Sequence, residues 1–259
     1  MAQIKIIFFD IDGTLVDPAT RQIPESTKEA LRKLREQGIL LCVATGRPPA
    51  SLPDFEGLHF DVFSTFNGSL CYTDTQTIYA NPISQKDVDQ LLKNAAALGR
   101  PVSVAVRHRL AANGVDQDLA DYYHLADLEL TAADEDFCEA CREPVYQIML
   151  GSRESEHAAI IQGTESVKIA ISWDRAVDVI PADSGKGTAI GQILAHFGLD
   201  ASQALAFGDS YNDLDMLQAV GTGVAMGNAA QALKDIADEV CDPVSQDGIY
   251  NYCRSHGLI

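Results

Sequence analysis

The stretch that most constrains the fold is residues 4–14, Ile-Lys-Ile-Ile-Phe-Phe-Asp-Ile-Asp-Gly-Thr. Residues 4–9 are a short run of β-formers and read as a buried strand. The run ends on Asp10, and Asp12, Gly13 and Thr14 follow at once. A carboxylate at the end of a buried strand is costly unless it is paired, hydrated or metal-bound. Here there are two, spaced so that both can point toward one side of the chain. In an open α/β sheet, ligands bind just outside the carboxyl ends of the strands. Taken alone, the stretch also admits a plainer reading, in which Asp10 or Asp12 caps a turn and Gly13 supplies a positive φ.

The pattern that follows is strand, helix, strand. Pro24 and Ser26 are helix-start signals, Ala30, Leu31 and Leu34 form one apolar face, and Gly38 suits the helix end. Residues 39–44 read as a second buried strand running into Thr45-Gly46-Arg47-Pro48, which predicts a parallel βαβ unit. Parallel pairing would bring Thr45 close to Asp10. A third strand over residues 61–66 ends on Asn67-Gly68, and residues 69–80 read as a small hairpin.

The middle of the chain changes character. An amphipathic helix over residues 84–98 (Val88, Leu91, Leu92, Ala95) precedes strands at 102–106, 145–150, 167–172 and 176–180. A polar, partly helical stretch covers 115–127, and a helix lies near 154–162. Strands with few helices between them predict an α+β module with an antiparallel sheet over residues 84–182. The first pattern then returns. Ser184-Gly185-Lys186-Gly187 opens a helix, residues 204–207 form a strand ending on Gly208-Asp209-Ser210-Tyr211-Asn212-Asp213, and a further strand covers 223–226. Asn228 reads as the cap of the next helix, and residues 245–256 as a closing one. The reading is a doubly wound, mainly parallel α/β sheet, residues 1–83 and 183–259, interrupted by the α+β insertion.

Composition narrows the partners. The chain has 259 residues, 46% of them hydrophobic, which suits a folded globular protein. Its net charge of −18 argues against nucleic acid and anionic membranes, both of which need a basic face. There is no signal-peptide pattern and no apolar run long enough to span a membrane. Six scattered cysteines show no secreted-scaffold spacing. A soluble cytoplasmic protein with reduced thiols, monomeric or a weak homodimer, is expected.

Polar groups of complementary kinds thus gather at the strand ends: Asp10 and Asp12, Thr45, Lys186 at a helix start, and Asp209, Asn212 and Asp213. Carboxylates from two separate strand ends make a hard, oxygen-rich site suited to Mg²⁺. A lysine at a helix N-terminus adds positive field, and Thr45 adds a donor. Such a set could bind and activate a phosphoryl group. At this point the chain resembles a haloacid dehalogenase superfamily phosphatase of the Cof type, with a large cap between its second and third motifs. Asp10-Ile-Asp12-Gly13-Thr14 is similar to the first motif, and Ala44-Thr45-Gly46-Arg47-Pro48 to the second. Lys186 is similar to the third, Gly208-Asp209-Ser210-Tyr211-Asn212-Asp213 to the fourth, and Asn67-Gly68 to a feature before the cap.

The resemblance implies a Rossmann-like core with an inserted cap and a two-step hydrolysis of a small phosphorylated metabolite, such as a sugar phosphate. It implies Asp10 as nucleophile and Asp12 as acid and then base. Thr45 and Lys186 would hold phosphoryl oxygens, with Gly46, Arg47, Asn67 and Asn212 also toward the substrate. Mg²⁺ would be held by Asp10, Asp209 and the Asp12 carbonyl, with Asn212 and Asp213 orienting it. Two other readings share the pattern: a phosphomutase, and a non-catalytic metabolite-binding protein. Dehalogenation would need neither the metal nor an acid for an alkoxide.

Several residues have bland readings beside sharp ones. Lys186 alone would be an ordinary helix-start lysine, and Asp213 could simply favour its helix's first turn. Arg47 could bind an anion or form a salt bridge within its turn. Cys138 and Cys141 have the spacing of half a zinc site but lack a second pair. Arg107, His108, Arg109, Tyr122, Tyr123 and His124 fall in the insertion, where each is either an ordinary cap residue or a substrate contact. Trp173 is expected to pack in the cap or at its junction with the core.

Overall fold

The computed structural model describes residues 3–125 and 128–259. Residues 1–2, and residues 126–127 at the end of the stretch read as partly helical, lie outside the described residues. The first third holds β1 (Ile6–Phe9), α1 (Glu25–Glu36), β2 (Leu40–Ala44), β3 (Val62–Thr65), β4 (Leu70–Tyr72) and β5 (Thr77–Ala80). The middle holds α2 (Gln85–Ala97), β6 (Val102–Val106), β7 (Arg109–Ala112), α3 (Gln117–Leu125), α4 (Phe137–Ala140), β8 (Val145–Gly151), α5 (His157–Ile160), β9 (Val167–Trp173) and β10 (Ala176–Pro181). The last part holds α6 (Lys186–Phe197), β11 (Ala204–Gly208), α7 (Leu214–Gln218), β12 (Thr222–Ala225), α8 (Gln231–Ile236), β13 (Glu239–Val240) and α9 (Gly248–Ser255).

The chain forms two compact units. The first comprises the described residues up to Gly46, Pro53–Ala80 and Gly185–Ile259. Its eight-stranded sheet has the order β13-β12-β11-β1-β2-β3-β4-β5. Pairing is parallel from β13 to β3, and β4 pairs antiparallel with both β3 and β5. This is the α/β, mainly parallel class expected from the sequence. Every residue of β1 is fully buried, which is why the strand reads as a continuous apolar run rather than an alternation. Phe9 lies opposite Val43 on one side and Phe207 on the other, and its ring stacks on that of Phe207. That register puts the residues following β1, β2 and β11 side by side at one sheet edge.

The second unit comprises Arg47–Leu52 and Asn81–Ser184. Its five-stranded antiparallel sheet has the order β7-β6-β8-β10-β9. Val88, Leu91 and Ala95 of α2 pack on Val102, Val104, Ile148, Leu150, Val177 and Val179. Burying each of these larger aliphatic side chains contributes about 1.5–3 kcal/mol. On α3, Tyr122 donates its hydroxyl to Asp178 at 3.0 Å, and the Tyr123 hydroxyl meets that of Ser103.

Three local expectations change. The segment Arg47–Leu52, read as part of the core region 1–83, groups with the second unit, where its Pro49–Ser51 turn packs against β7. Strand β7 itself was not foreseen, because only residues 107–108 separate it from β6. Asn228 does not cap α8, whose cap position is Ala230. Instead its amide donates to the Gly13 carbonyl at 2.8 Å and accepts from the Val244 N–H at 3.0 Å.

Candidate active site

Asp10 follows β1 directly and is only 6% exposed. Its backbone N–H donates to the Phe207 carbonyl at 3.1 Å, continuing the ladder with β11 one step beyond the strand. Asp209 likewise follows β11. Between the two stands the turn Asp12-Gly13-Thr14. Gly13 has φ +90°, and a Cβ there would fall 2.3 Å from Asp209 Oδ2, so the turn requires glycine for conformation and for space. Thr14 donates its hydroxyl to Asp209 Oδ1 at 3.2 Å.

Lys186 reaches this cluster from the start of α6. Its side chain is fully buried, and its Nζ bonds Asp10 Oδ1 at 2.6 Å and Asp213 Oδ1 at 2.5 Å. The plain reading of Lys186 as a solvated helix-start residue is thereby excluded. Asp213 is also fully buried, and its Oδ2 accepts from the N–H groups of Asp209 and Ser210 at 3.0 and 2.9 Å. It therefore shapes the loop after β11 and fixes the lysine at once.

Burial pushes the Asp10 carboxyl well above its usual range. The negative charges of Asp213 and Asp209 add to this, and Lys186 opposes it. Burial works against the charged Lys186 amine, yet Asp10 and Asp213 hold its affinity for the proton above normal. Asp209 is pushed up to about 6 by burial and by Asp213, against the Thr14 hydrogen bond and Lys186.

One oxygen from each of Asp10, Asp209 and Asp213 can be chosen so that all three lie within 4.8 Å of one another. Among the described residues this is the one cluster of three or more such ligand-bearing side chains. With all groups ionised, three carboxylates face one ammonium, an excess of two negative charges in a largely buried site. Such an excess is costly, and a divalent cation with hard oxygen ligands matches it in charge and in ligand type. Asp213 already spends both oxygens on Lys186 and the two N–H groups, so Asp10 and Asp209 are the better-placed ligands. The Asp12 side chain is exposed and outside the trio.

The second motif lies on the other side of Asp10. Thr45 is 1% exposed; its N–H donates to Ser64, and its carbonyl accepts from Asn67 N–H at 3.0 Å. Phe66 and Asn67 both adopt left-handed backbone, φ 52° and 50°. Two such non-glycine residues in succession store strain that is typically kept at functional positions. The turn aims Asn67 back over Gly46, where a Cβ would come within 3.0 Å of Asn67 Oδ1. Asn212, exposed, donates to the same Oδ1 at 3.2 Å, linking the loops after β3 and β11. Arg47 Nη1 bonds the Ser51 carbonyl at 2.9 Å, a contact of the turn-closing kind. Thr14 and Asn228 were missed as site residues, because a threonine in a turn and an asparagine near a helix start carry no local signal of long-range bonds.

In the second unit, Arg109 is engaged by Asp136 and Glu143. Tyr122 stacks on Trp173, and the Arg175 guanidinium lies 4.1 Å from the indole centroid, so Trp173 packs within this unit. Arg107 and His108 occupy the turn between β6 and β7, and His124 is exposed. Cys138 is exposed and Cys141 buried, and no three-residue ligand cluster forms around them among the described residues.

A doubly wound sheet whose carboxyl edge gathers these carboxylates around one buried lysine, with an α+β unit inserted in the chain, defines a Rossmann-like α/β protein with an acidic site at its strand ends. More particularly, the chain belongs to the haloacid dehalogenase-like hydrolases, whose family profile matches residues 7–253. YkrA of Bacillus subtilis, which carries a provisional phosphatase name, is 34% identical over 98% of this chain and 98% of its own. A solved structure from Geobacillus kaustophilus HTA426 is 33% identical with a TM-score of 0.89, covering 99% of this chain and 100% of that one. The subclass IIB sugar phosphatase BT4131 is 30% identical with a TM-score of 0.87, over 98% and 100%. No described helix is long and apolar enough to cross a membrane.

Proposed function

We propose that the protein is a Mg²⁺-dependent phosphatase that hydrolyses a small phosphorylated metabolite, a sugar phosphate in particular, through an aspartyl-phosphate on Asp10. The observation that carries this reading is the contact of the fully buried Lys186 with Asp10 Oδ1. A carboxylate held by a buried ammonium at the end of a central strand is pinned in position, and the ammonium favours the ionised form that a nucleophile needs, against the burial that opposes it. The names of the relatives, a sugar phosphatase among them, point the same way.

In the first step an Asp10 oxygen bonds phosphorus while the ester P–O bond breaks. Asp12, exposed and two residues on, gives its proton to the departing alkoxide. In the second step Asp12 takes a proton from water as the water oxygen attacks phosphorus and the Asp10 carboxylate departs. Thr45 and Lys186 hold phosphoryl oxygens, and Asn67, Gly46 and Asn212 line the adjacent loops. Asp10, Asp209 and the Asp12 carbonyl would hold Mg²⁺, which, when bound, offsets the repulsion between an anionic nucleophile and an anionic phosphate. Asp213 orients Lys186 and the Asp209 loop.

By its resemblance to the family, the insertion read at residues 84–182 is the part of the chain that would choose the leaving group. The decisive experiment is a panel of phosphorylated metabolites compared by kcat/KM with Mg²⁺ and with EDTA. Hydrolysis that prefers small sugar phosphates and stops with EDTA is expected. Phosphate returned to another position of the sugar would mark a mutase, and no turnover of any substrate would remove the enzymatic reading.

A further inference from the structure

Lys186 must hold its amine against Asp10 through a long side chain, so its main-chain anchor matters. That anchor is the first turn of α6, which has no cap of its own: the cap position is Gly185, without a side chain. The first-turn N–H groups of a helix have no partner within the helix. Here one of them, Gly187 N–H, donates to Asp215 Oδ2 at 3.0 Å, from a residue 28 positions along the chain.

The fit around this contact is close. A Cβ at 185 would fall 2.2 Å from Asp215 Oδ2, and one at 187 would fall 2.5 Å from the Asp215 main-chain oxygen. Gly185 has φ 172°, which any residue adopts, so glycine stands there for space. On the other side, a Cβ at Gly68 would come 2.2 Å from the Gly185 oxygen. The start of α6 is thus wedged between the loop after β3 and α7. Asp213 and Asp215, two residues apart, grip the two ends of Lys186: one bonds its amine and the other fixes its backbone turn. The Asp215 carboxylate also offsets the positive end of α6. The lysine amine then carries the positive charge beside Asp10.

We propose that Asp215 is a positioning residue for the reaction. It caps the first turn of α6 and so sets the Lys186 amine against Asp10, without itself meeting the substrate. The inference rests on the phosphatase reading above and extends it to a residue outside the four motifs. Its capping limb stands independently of that reading.

The test uses three variants of the full chain with p-nitrophenyl phosphate and Mg²⁺, together with amide hydrogen exchange at Gly187. Asp215→Ala is expected to lower kcat about tenfold with KM within twofold, since a displaced lysine costs more in the transition state than in binding. Asp215→Asn, whose amide oxygen accepts the same bond, should keep kcat within about twofold. Asp215→Glu keeps the charge but does not fit the tight approach, and should lose several-fold. Gly187 exchange should quicken in the alanine and glutamate variants and stay slow in the asparagine one. A lower melting temperature with unchanged kcat per folded molecule would reduce Asp215 to a structural cap and overturn the proposal. So would full activity in the glutamate variant with loss in the asparagine one, which would make charge rather than the cap the cause. If wild type itself lacks phosphatase activity, the functional reading fails. Unchanged Gly187 exchange in Asp215→Ala would separately end the capping claim.

Discussion

The Thr14 hydroxyl donates to Asp209 Oδ1 at 3.2 Å across 195 residues of sequence. This one bond ties the turn after β1 to the loop after β11, and with Asn228 on the Gly13 carbonyl it leaves that turn little freedom. The site is therefore a set of short loops locked to one another at the edge of a rigid sheet. Its chemistry should respond sharply to small changes in those locks.

Gly13→Ala should damage the site with little change elsewhere. The positive φ and the 2.3 Å approach to Asp209 Oδ2 both oppose a methyl group. We expect about 1–3 kcal/mol of lost stability from backbone strain and at least tenfold weaker apparent Mg²⁺ affinity in activity titrations. Unchanged Mg²⁺ dependence would show that Asp209 is no ligand.

Asp10→Asn is nearly isosteric and removes one of three clustered negative charges. The metal-free fold should melt no lower than wild type by calorimetry, while phosphate release falls by roughly 10³-fold or more, as for loss of a nucleophile. Substantial turnover in this variant would rule out the aspartyl-phosphate.

Asp12→Ala should leave stability within about 0.5 kcal/mol, because the side chain is exposed. With alkyl phosphates both steps should slow, by about 10²–10⁴-fold for lost acid–base catalysis. Nitrophenolate leaves without help from an acid, so rapid mixing with p-nitrophenyl phosphate should show a burst followed by slow hydrolysis. A single slow phase without a burst, as for alkyl phosphates, would place Asp12 elsewhere in the mechanism.

The raised Asp209 value of about 6, against an ordinary 3.8, has a consequence for stability. Between about pH 4 and 6 the folded state binds more protons at this group than the unfolded state does. This contribution to stability therefore falls as pH rises through that window. Bound Mg²⁺ needs the deprotonated form. The rise in melting temperature on replacing EDTA by Mg²⁺ should thus be larger at pH 7 than at pH 5. Equal shifts at the two pH values would count against a metal held by Asp209.

Much of this arrangement was legible in the chain itself. The buried run of β1 and the helical spacing of Ala30, Leu31 and Leu34 pointed to a doubly wound sheet. The change of pattern near residue 84 and its return near 184 pointed to the insertion. Strand β7 escaped because two residues are too short a gap to separate two periodicities. The cap assigned to Asn228 failed because a local start signal cannot compete with two long-range bonds, to Gly13 and Val244. Within the second unit the helix and strand periods were readable but the side-chain partners were not, since Tyr122, Trp173 and Arg109 take theirs from other strands and loops.

By itself the sequence determined which residue types stand at the strand ends, because apolar runs, glycines and carboxylates are local features with local physical causes. Only the tertiary structure decided which of them share a bond. Lys186 became the buried partner of Asp10 and Asp213, Asp213 spent both its oxygens on holding that arrangement, and Asp12 stayed at the surface. The reason is physical: parallel strands from distant parts of the chain end at one edge, and the cost of burying charge there forces each group to find its counterpart.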